Sequence, residues 1–465
     1  MEVVSDMATT GTATSGAGGT GSTVALRPTI GRLRAVKPPV LLEDELPGGL
    51  HSVFVRRPTL PLVEFRLVMP LAPGQIKKPA LTNVLSDSLF AGTDRHDRLA
   101  LAEAIEGLGG RLAAHVDEDR VIVTGSVLAE HLGLFLNLVA EVLTTATYPD
   151  PEVRADRQRA ADGMVITLSQ PEVVAQQALR RRMFAGHPYA TPLPTPAALR
   201  RVKAAELREL DQALLGPADA HLVLVGDFQV PRARASVEEA LAKWLRRRRA
   251  RDSQLVRAAG PRRGPLELVA RPQSTQSNVR LGGAAPPLSA GDWPAAVLAG
   301  SVLAGMFSSR ITANLRERNG YSYSPRSRFR HVRAASSFVL LADVASAVTG
   351  ASLVEIQYEL GRIATVGITE EELELARRHA VGIFSFETAT LPGLASTLAG
   401  LAANGVGLEY LANYPKAIIA TTKDQVDEAA RRYLAPSELV TVVVGDPDVV
   451  TRQLAAVGEV VVRPA

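Results

Sequence analysis

A guanidinium and a phenol lie seven residues apart in the second half of the chain, at Arg316 and Tyr323. Arg316 falls at the end of a helical stretch closed by Asn319 and Gly320, and Tyr323 is expected to begin the next strand. A tight turn between them would aim both side chains into one cleft. Both groups donate hydrogen bonds, which suits a peptide carbonyl and the oxyanion that forms from it. The same residues have a plainer use, with Arg316 capping its helix or pairing with Glu317 or Glu355, and Tyr321 and Tyr323 packing on a sheet. On the residues alone this plainer use is the simpler account.

Metal chemistry has little to work with. The chain has no cysteine, which removes disulfides, thiolate nucleophiles and cysteine-based zinc or iron–sulfur sites. None of its 8 histidines lies four residues from another, so no helix face carries a histidine pair. His96 and His115 read as surface residues, and His187 as a turn or packing residue.

The elements that must position these groups follow from length and pattern. A chain of 465 residues with 46% apolar residues can fill two domain-sized cores. Lys and Arg exceed Asp and Glu by only 52 to 48, so no nucleic-acid partner is implied. Four consecutive arginines, Arg246 to Arg249, lack interleaved aromatics and read as a solvated helix end. No run approaches about 18 uninterrupted apolar residues, so no membrane span is expected. The Gly/Ser/Thr-rich start has neither a secretory nor a transit pattern, and a cytoplasmic location is the default expectation.

The segment from Arg246 to Pro265, rich in Arg, Gly and Pro, reads as a linker. The chain then divides into a flexible tail (1–28), a first domain (29–245), the linker (246–265) and a second domain (266–465), and cleavage in the linker is expected to leave two separately compact pieces. The halves resemble each other. His221–Asp227, HLVLVGD, returns as LVTVVVGD with Gly226 and Gly445 219 residues apart, and the same offset carries Glu152, Arg159, Ala161 and Gly163 onto Glu371, Arg378, Ala380 and Gly382. Hairpin-like strand pairs, Val53–Val55 beside Leu62–Val68 and Arg111–His115 beside Arg120–Val127, alternate with helices at Pro79–Leu89, Leu99–Leu108, His131–Thr145 and Pro151–Leu168. That order predicts an α+β fold of two tandem homologous domains, each a mostly antiparallel sheet covered by helices.

Four segments carry a resemblance to a known family. Ala80–Thr93, ALTNVLSDSLFAGT, is similar to the segment G-L-A-H-F-L-E-H-M-L-F-K-G-T of the M16 (insulinase and mitochondrial processing peptidase) family. Leu108–Ala113, LGGRLA, and Gly186–Tyr189, GHPY, follow in the expected order. Met306–Ser324, MFSSRITANLRERNGYSYS, resembles the family's G-F-S-S-R-L-N-x-L-R-E-K-R-G-L-A-Y-S and is the closest local match. The resemblance implies the M16 fold of LuxS and processing-peptidase type. In active members H-x-x-E-H stacks two zinc ligands one helical turn apart, with the glutamate as base. Here those positions are Asn83, Ser86 and Asp87, and the third ligand falls at Gly163.

The resemblance therefore implies a chain without zinc of its own that retains the substrate-binding arginine and tyrosine, Arg316 and Tyr323. This is the pattern of one partner in a two-chain M16 endopeptidase, where zinc sits on the other chain, a clamshell heterodimer forms between them, and a peptide is the substrate. Two alternatives stay open: a structural pseudopeptidase that keeps only the fold, and a protein that binds peptides as an added strand without cleaving them.

Overall fold

Short strands of alternating or continuous apolar residues open each half of the chain. In the computed structural model, which describes residues 39–247 and 255–464, they assemble into two six-stranded sheets. The tail (1–28) and the start of the first domain, with Arg248, Arg249 and Arg251 of the linker, lie outside the described residues. The first sheet contains β1 (Leu41–Leu46), β2 (Leu50–Arg56), β3 (Leu62–Pro70), β4 (Arg111–Val116), β5 (Arg120–Leu128) and β6 (His221–Gly226), in the order β1-β2-β6-β3-β5-β4. The second contains β7 (Leu266–Ala270), β8 (Gln276–Ala284), β9 (Arg326–Val332), β10 (Ala335–Ala345), β11 (Val440–Gly445) and β12 (Val460–Pro464), in the order β12-β7-β11-β8-β10-β9.

Set aside one outer strand from each sheet, and β2-β6-β3-β5-β4 matches β7-β11-β8-β10-β9 term by term. Within those five-strand sets β2 with β6 and β7 with β11 are the parallel pairs. The repeat seen in the sequence is thus a repeat of topology. One detail differs from the sequence pattern: β2 and β3 are not neighbours, because β6 lies between them. The unbroken apolar run in β6 explains this, since Leu222 to Val225 are buried on both faces and belong at a sheet centre. The Gly-Asp that ends the strand marks a close approach of backbones. A Cβ at Gly226 would lie 2.1 Å from the Leu62 carbonyl oxygen.

The helices do not stay with their own halves. The Pro171–Met183 helix of the first half packs on β8 and β11 of the second sheet. There its Ala175, Ala178, Leu179 and Met183 form one apolar cluster with Val339, Leu341, Val440, Val442 and Val444. The Leu391–Ala403 helix, at the equivalent place in the second half, packs on β3 and β6 of the first sheet. Leu391, Leu394, Leu398 and Leu401 are buried along it, each contributing on the order of 2 kcal/mol. Arg66 Nε on β3 donates to Ser396 Oγ at 3.2 Å, and Arg57 Nη1 to the Thr388 carbonyl at 2.9 Å.

A buried polar knot joins the halves again. Asp119, fully buried, accepts from the Tyr189 hydroxyl (2.5 Å), Arg120 Nε (3.0 Å) and the Arg333 backbone N–H (2.9 Å), while the Ala334 N–H donates to Tyr189 Oη at 3.1 Å. In the Trp293–Arg318 stretch, 72% of the most apolar 18-residue window is buried, as in a core element.

The exchange overturns the expectation of two separable pieces, because each half without its partner would expose the sheet face that the other's helix covers. Limited trypsin digestion within 246–265 is therefore expected to give two bands on a denaturing gel but one native species by size exclusion; two native peaks would contradict the exchange. A pH dependence also follows. Burial, with a contribution from stacked His51, lowers the His221 pKa from 6.5 to about 4, and burial lowers His331 from 6.5 to about 4. Both imidazoles are neutral in the fold, so the unfolded chain binds more protons between pH 6.5 and about 4. Stability is thus fully present above pH 6.5 and lost as the pH falls toward 4, and melting temperatures across that window should decline.

Candidate functional site

Asn83, Ser86 and Asp87 lie on the Pro79–Ser88 helix, with Asn83 and Asp87 one turn apart. This helix packs on Asp150–Ser169, which carries Gly163, so the structure places all four positions on two contacting helices. Their chemistry is not that of a metal site. Ser86 is buried and donates to the Asn83 carbonyl at 2.8 Å. Gly163 offers no side chain, and a Cβ there would meet nothing within 4 Å. Asp87 is the one carboxylate of the four. Burial raises its pKa above the ordinary value, Asp156 adds to the rise, and Arg159 opposes it.

Asp156 is what occupies the space between the helices. It is 2% exposed and accepts from Ser88 Oγ at 2.7 Å and from Arg98 Nη2 at 2.6 Å, with Arg159 paired to its other oxygen. Arg98 also reaches Glu152 Oε2 at 2.5 Å. A zinc ion beside Asp87 would meet these guanidinium groups in place of the imidazoles it requires. Among the described residues no group of three or more His, Cys, Asp or Glu is placed to hold a metal ion. The residues do not fit zinc. Sequence reasoning missed this network: Glu152 and Arg159 were visible only as marks of the repeat, and nothing in a helix so rich in charge singles out Asp156 as buried.

The second constellation is held more rigidly. The helix from Arg310 loosens into a π-turn over Ala313–Arg318, a feature that recurs at functional sites. Asn319 closes it, with its Nδ2 on the Asn314 carbonyl (3.1 Å) and Oδ1 (2.8 Å). Gly320 then turns the chain at φ +64°, in the left-handed region that glycine enters without strain. The N–H groups of Tyr321 and Ser322 both donate to the Leu315 carbonyl, and Ser322 Oγ donates to the Asp343 carbonyl at 2.8 Å.

Beneath the turn, fully buried Glu359 accepts from Asn314 Nδ2 (3.0 Å), Arg318 Nη2 (3.0 Å) and Arg362 Nη1 (3.3 Å). Arg310 is clamped by both oxygens of Glu372 at 2.7 Å. Gly300, before this point, is a packing residue, since a Cβ there would lie 2.6 Å from the Phe329 ring.

From this frame two side chains project. Arg316 lies over the Phe307 ring, its guanidinium carbon 3.9 Å from the centroid, and its Nε donates to Glu317 at 2.7 Å. The Tyr323 side chain makes no hydrogen bond among the described residues, and the residue is 88% exposed. The pairing of Arg316 with Glu317 is present; the packing of Tyr323 on a sheet is not. Nor does Tyr323 begin a strand. Pro325, which has no N–H to donate, delays β9 to Arg326 and leaves Tyr323 in a bend. An ion pair between partly exposed neighbours is worth about 0–1 kcal/mol, so Arg316 can leave Glu317 for a better acceptor.

Elsewhere, a cleft of about 640 Å³ opens beside the edge strand β4, lined by Glu64, Arg66, Arg111, Thr124 and Ser126 with Pro392 of the exchanged helix. His187 accepts from the Tyr189 N–H through Nδ1, which makes it a turn residue.

Comparison with known proteins places the chain among peptidases. The model for insulinase (peptidase family M16) matches residues 78–197, and the model for the peptidase M16 inactive domain matches residues 201–379. An uncharacterized zinc protease of Mycobacterium leprae is 23% identical over 71% of this chain and 75% of its own length; YmxG of Bacillus subtilis, also an uncharacterized zinc protease, is 20% identical over 65% and 73%. Among solved structures, a peptidase M16 inactive domain from Pseudomonas fluorescens superposes with a TM-score of 0.81, at 21% identity over 88% of this chain and 98% of that one. A protease from Helicobacter pylori gives a TM-score of 0.78 at 17% identity, covering 87% of this chain and 99% of that one. These similarities confirm the α+β fold with its two sheets.

Restoring the motif should need all four positions. Asn83→His, Ser86→Glu and Asp87→His together are expected to bind zinc roughly tenfold or more weakly than the same variant with Gly163→Glu added, because three protein ligands are the catalytic minimum. Competition against a chromogenic chelator measures this, and equal affinities would place the third ligand elsewhere.

Proposed function

The chain belongs to the M16 peptidase family, and on that premise we propose that it is the zinc-less, substrate-binding subunit of a two-chain M16 zinc endopeptidase. It lends Arg316 and Tyr323 to the active site of a zinc-bearing partner that closes against it as the other shell of a clamshell. The observation that carries this reading is the state of Tyr323: an aromatic residue 88% exposed, its hydroxyl without a partner among the described residues, on a turn fixed by the hydrogen bonds of Asn314, Asn319, Ser322 and buried Glu359. A fold gains nothing from ordering a backbone so closely around a side chain that packs on nothing. A site does, because a donor held in place loses little entropy when the substrate arrives.

The chemistry is that of an oxyanion hole supplied from outside. As a partner's zinc-bound water adds to the scissile carbonyl, negative charge develops on its oxygen, and the Tyr323 hydroxyl with the Arg316 guanidinium donates to it. Arg316 exchanges Glu317 for that oxygen at small cost. Phe307, 81% exposed beneath Arg316, keeps the guanidinium plane oriented through stacking. Arg, Tyr and Phe together on one exposed turn also match the composition of surfaces that bury on association.

Peptide binding without cleavage is the second reading, favoured by the cleft beside the open edge of β4, where an extended segment could add as a strand. A purely structural role is disfavoured by Tyr323, whose side chain is 88% exposed and makes no hydrogen bond among the described residues.

In the reconstituted pair, Tyr323→Phe is expected to lower turnover on the order of 10²-fold, while leaving this chain folded, the complex assembled and the partner's zinc content unchanged. The phenylalanine retains the ring and deletes the donor alone. Unchanged turnover would make the tyrosine irrelevant to catalysis, and loss of assembly would move it to the interface.

A further inference from the structure

Three arginines follow Tyr323 at alternate positions of β9: Arg326, Arg328 and Arg330. Alternation puts them on one face of the strand, and the aromatic contacts of Phe329 and His331 with Trp293 identify the other face as the one that meets the helices. The arginine face is the inner one, where the exchanged Pro171–Met183 helix packs. Arg328 donates to Gln176 of that helix at 3.1 Å, and the pairing of β8, β10 and β9 aligns Arg280, Leu341 and Arg326 across the same face.

The charges there do not balance. Arg330 is paired with Glu118, and Arg280 with Asp343 at 2.7 Å. Arg326 reaches only the Ser324 carbonyl and Arg328 only the Gln176 amide, so neither has a carboxylate among the described residues. Burial, then the fields of Arg330, Arg326 and Arg280, lower the Arg328 pKa from its ordinary value, against the pull of Glu118. Mutual repulsion of this kind is relieved by an added anion.

The repeat supplies an independent observation. Arg66 and Arg280 are equivalent: each is buried on the inner face, and each donates through Nη1 to the carbonyl of the preceding residue and to one on the adjoining strand, Gly125 or Ala342. In the first sheet Arg66 Nε is satisfied by Ser396 of the exchanged helix. In the second, Arg280 is 1% exposed and its Nε has no hydrogen-bond partner among the described residues, nor has the neighbouring Asn278 Oδ1. Gln176 of the exchanged helix accepts from Arg328 instead. The second sheet has thus kept a buried arginine incompletely satisfied where the first has not.

We propose that the inner face of β9, at Arg326 and Arg328, binds an extended acidic peptide segment whose carboxylates stand at alternate positions, and that acidic segments near the scissile bond are the substrate class of this subunit. The assignment to substrate rests on the role proposed above for Tyr323. Side chains at i and i+2 of a strand stand about 7 Å apart, so two carboxylates with the same spacing on an extended partner can meet Arg326 and Arg328 together, each through a charge-assisted contact of the kind guanidinium groups make bidentately. Among the described residues no further strand pairs on its outer side, which leaves main-chain groups for an extended ligand. Tyr323 lies five residues from Arg328, at most about 17 Å along an extended chain, which places the acidic residues within a few positions of the carbonyl that Tyr323 would touch.

The test uses the full chain alone. A fluorescent dodecapeptide with glutamate at alternate positions in a serine and valine background is titrated and followed by anisotropy. Binding is expected, weakening as salt rises from about 25 mM to about 200 mM. The double variant Arg326→Gln/Arg328→Gln should weaken it roughly tenfold or more. Both residues are on the surface, and circular dichroism confirms that the variant is folded. The same peptide with lysine for glutamate should not bind. Equal binding of the lysine peptide, an unchanged affinity in the double variant, or tighter binding of an oligonucleotide of equal charge would each overturn the proposal. No partner chain takes part, so failure here leaves the Tyr323→Phe experiment untouched, and failure of that experiment leaves this binding intact.

Discussion

Each sheet of this protein has one face that its own half does not cover. Reciprocal donation of a helix solves that problem for both sheets at once, Pro171–Met183 lying on the second and Leu391–Ala403 on the first. Much else depends on this exchange. The apolar strand β6, placed between β2 and β3, has a burial partner on both faces only because the second half supplies one. The buried knot of Asp119, Tyr189 and Arg333 lies where strands of one half meet a hairpin of the other, so desolvating its carboxylate is tolerable only while the halves stay joined. Two repeats that could have been beads on a string become a single unit. Its relative geometry is set by packing rather than by the linker.

Loss of metal ligands in such a frame need not unfold it. A helix pair that once faced a cation would be left with uncompensated carboxylates if only the histidines were lost. Here Arg98 and Arg159 meet Asp156, and Ser88 completes its coordination. Two guanidinium groups beside this buried carboxylate keep the charge near balance and make the position a structural one. Removing a single member of such a buried network is typically costly, about 3–5 kcal/mol, whereas the whole network adds little net stability over an apolar filling. The same physics makes reversion to a metal site difficult, since a new cation would have to compete with the resident ones.

What the sequence made legible was local. Alternation and helical period located β3, β5 and the Pro79–Ser88 helix within a few residues, because each pattern reports the face an element buries. Period says nothing about which sheet the face is buried against, so the exchange of Pro171–Met183 and Leu391–Ala403 had no signature, and β6 was not recognised as the strand that separates β2 from β3. The site divides in the same way. Asn83, Ser86, Asp87 and Gly163 were reached by counting along a motif, and the structure puts them on two contacting helices; Arg316 lies at a helix end closed by Asn319 and Gly320, as expected. The exposure of Tyr323 and the burial of Asp156 depend on what surrounds them in space, and for both the residue type pointed the other way: tyrosines usually pack and aspartates usually face water.

The two halves have diverged in complementary directions from one plan. In the first, the buried arginine of the central strand is spent on holding the exchanged helix, and an ion-pair network around Asp156 lies beside the motif positions. In the second, the equivalent arginine keeps an unsatisfied nitrogen, its sheet edge carries cations without carboxylates, and the turn before that edge holds out a tyrosine at nearly full exposure. Unsatisfied donors and unpaired charges lower the stability of the half that contains them. Among the described residues the buried side-chain polar atoms left without a partner all lie in the second half, although stability acts on both halves alike. A ligand of the class proposed above, presenting oxygen and negative charge, would complement the guanidinium groups of Arg326 and Arg328, which lack carboxylates among the described residues.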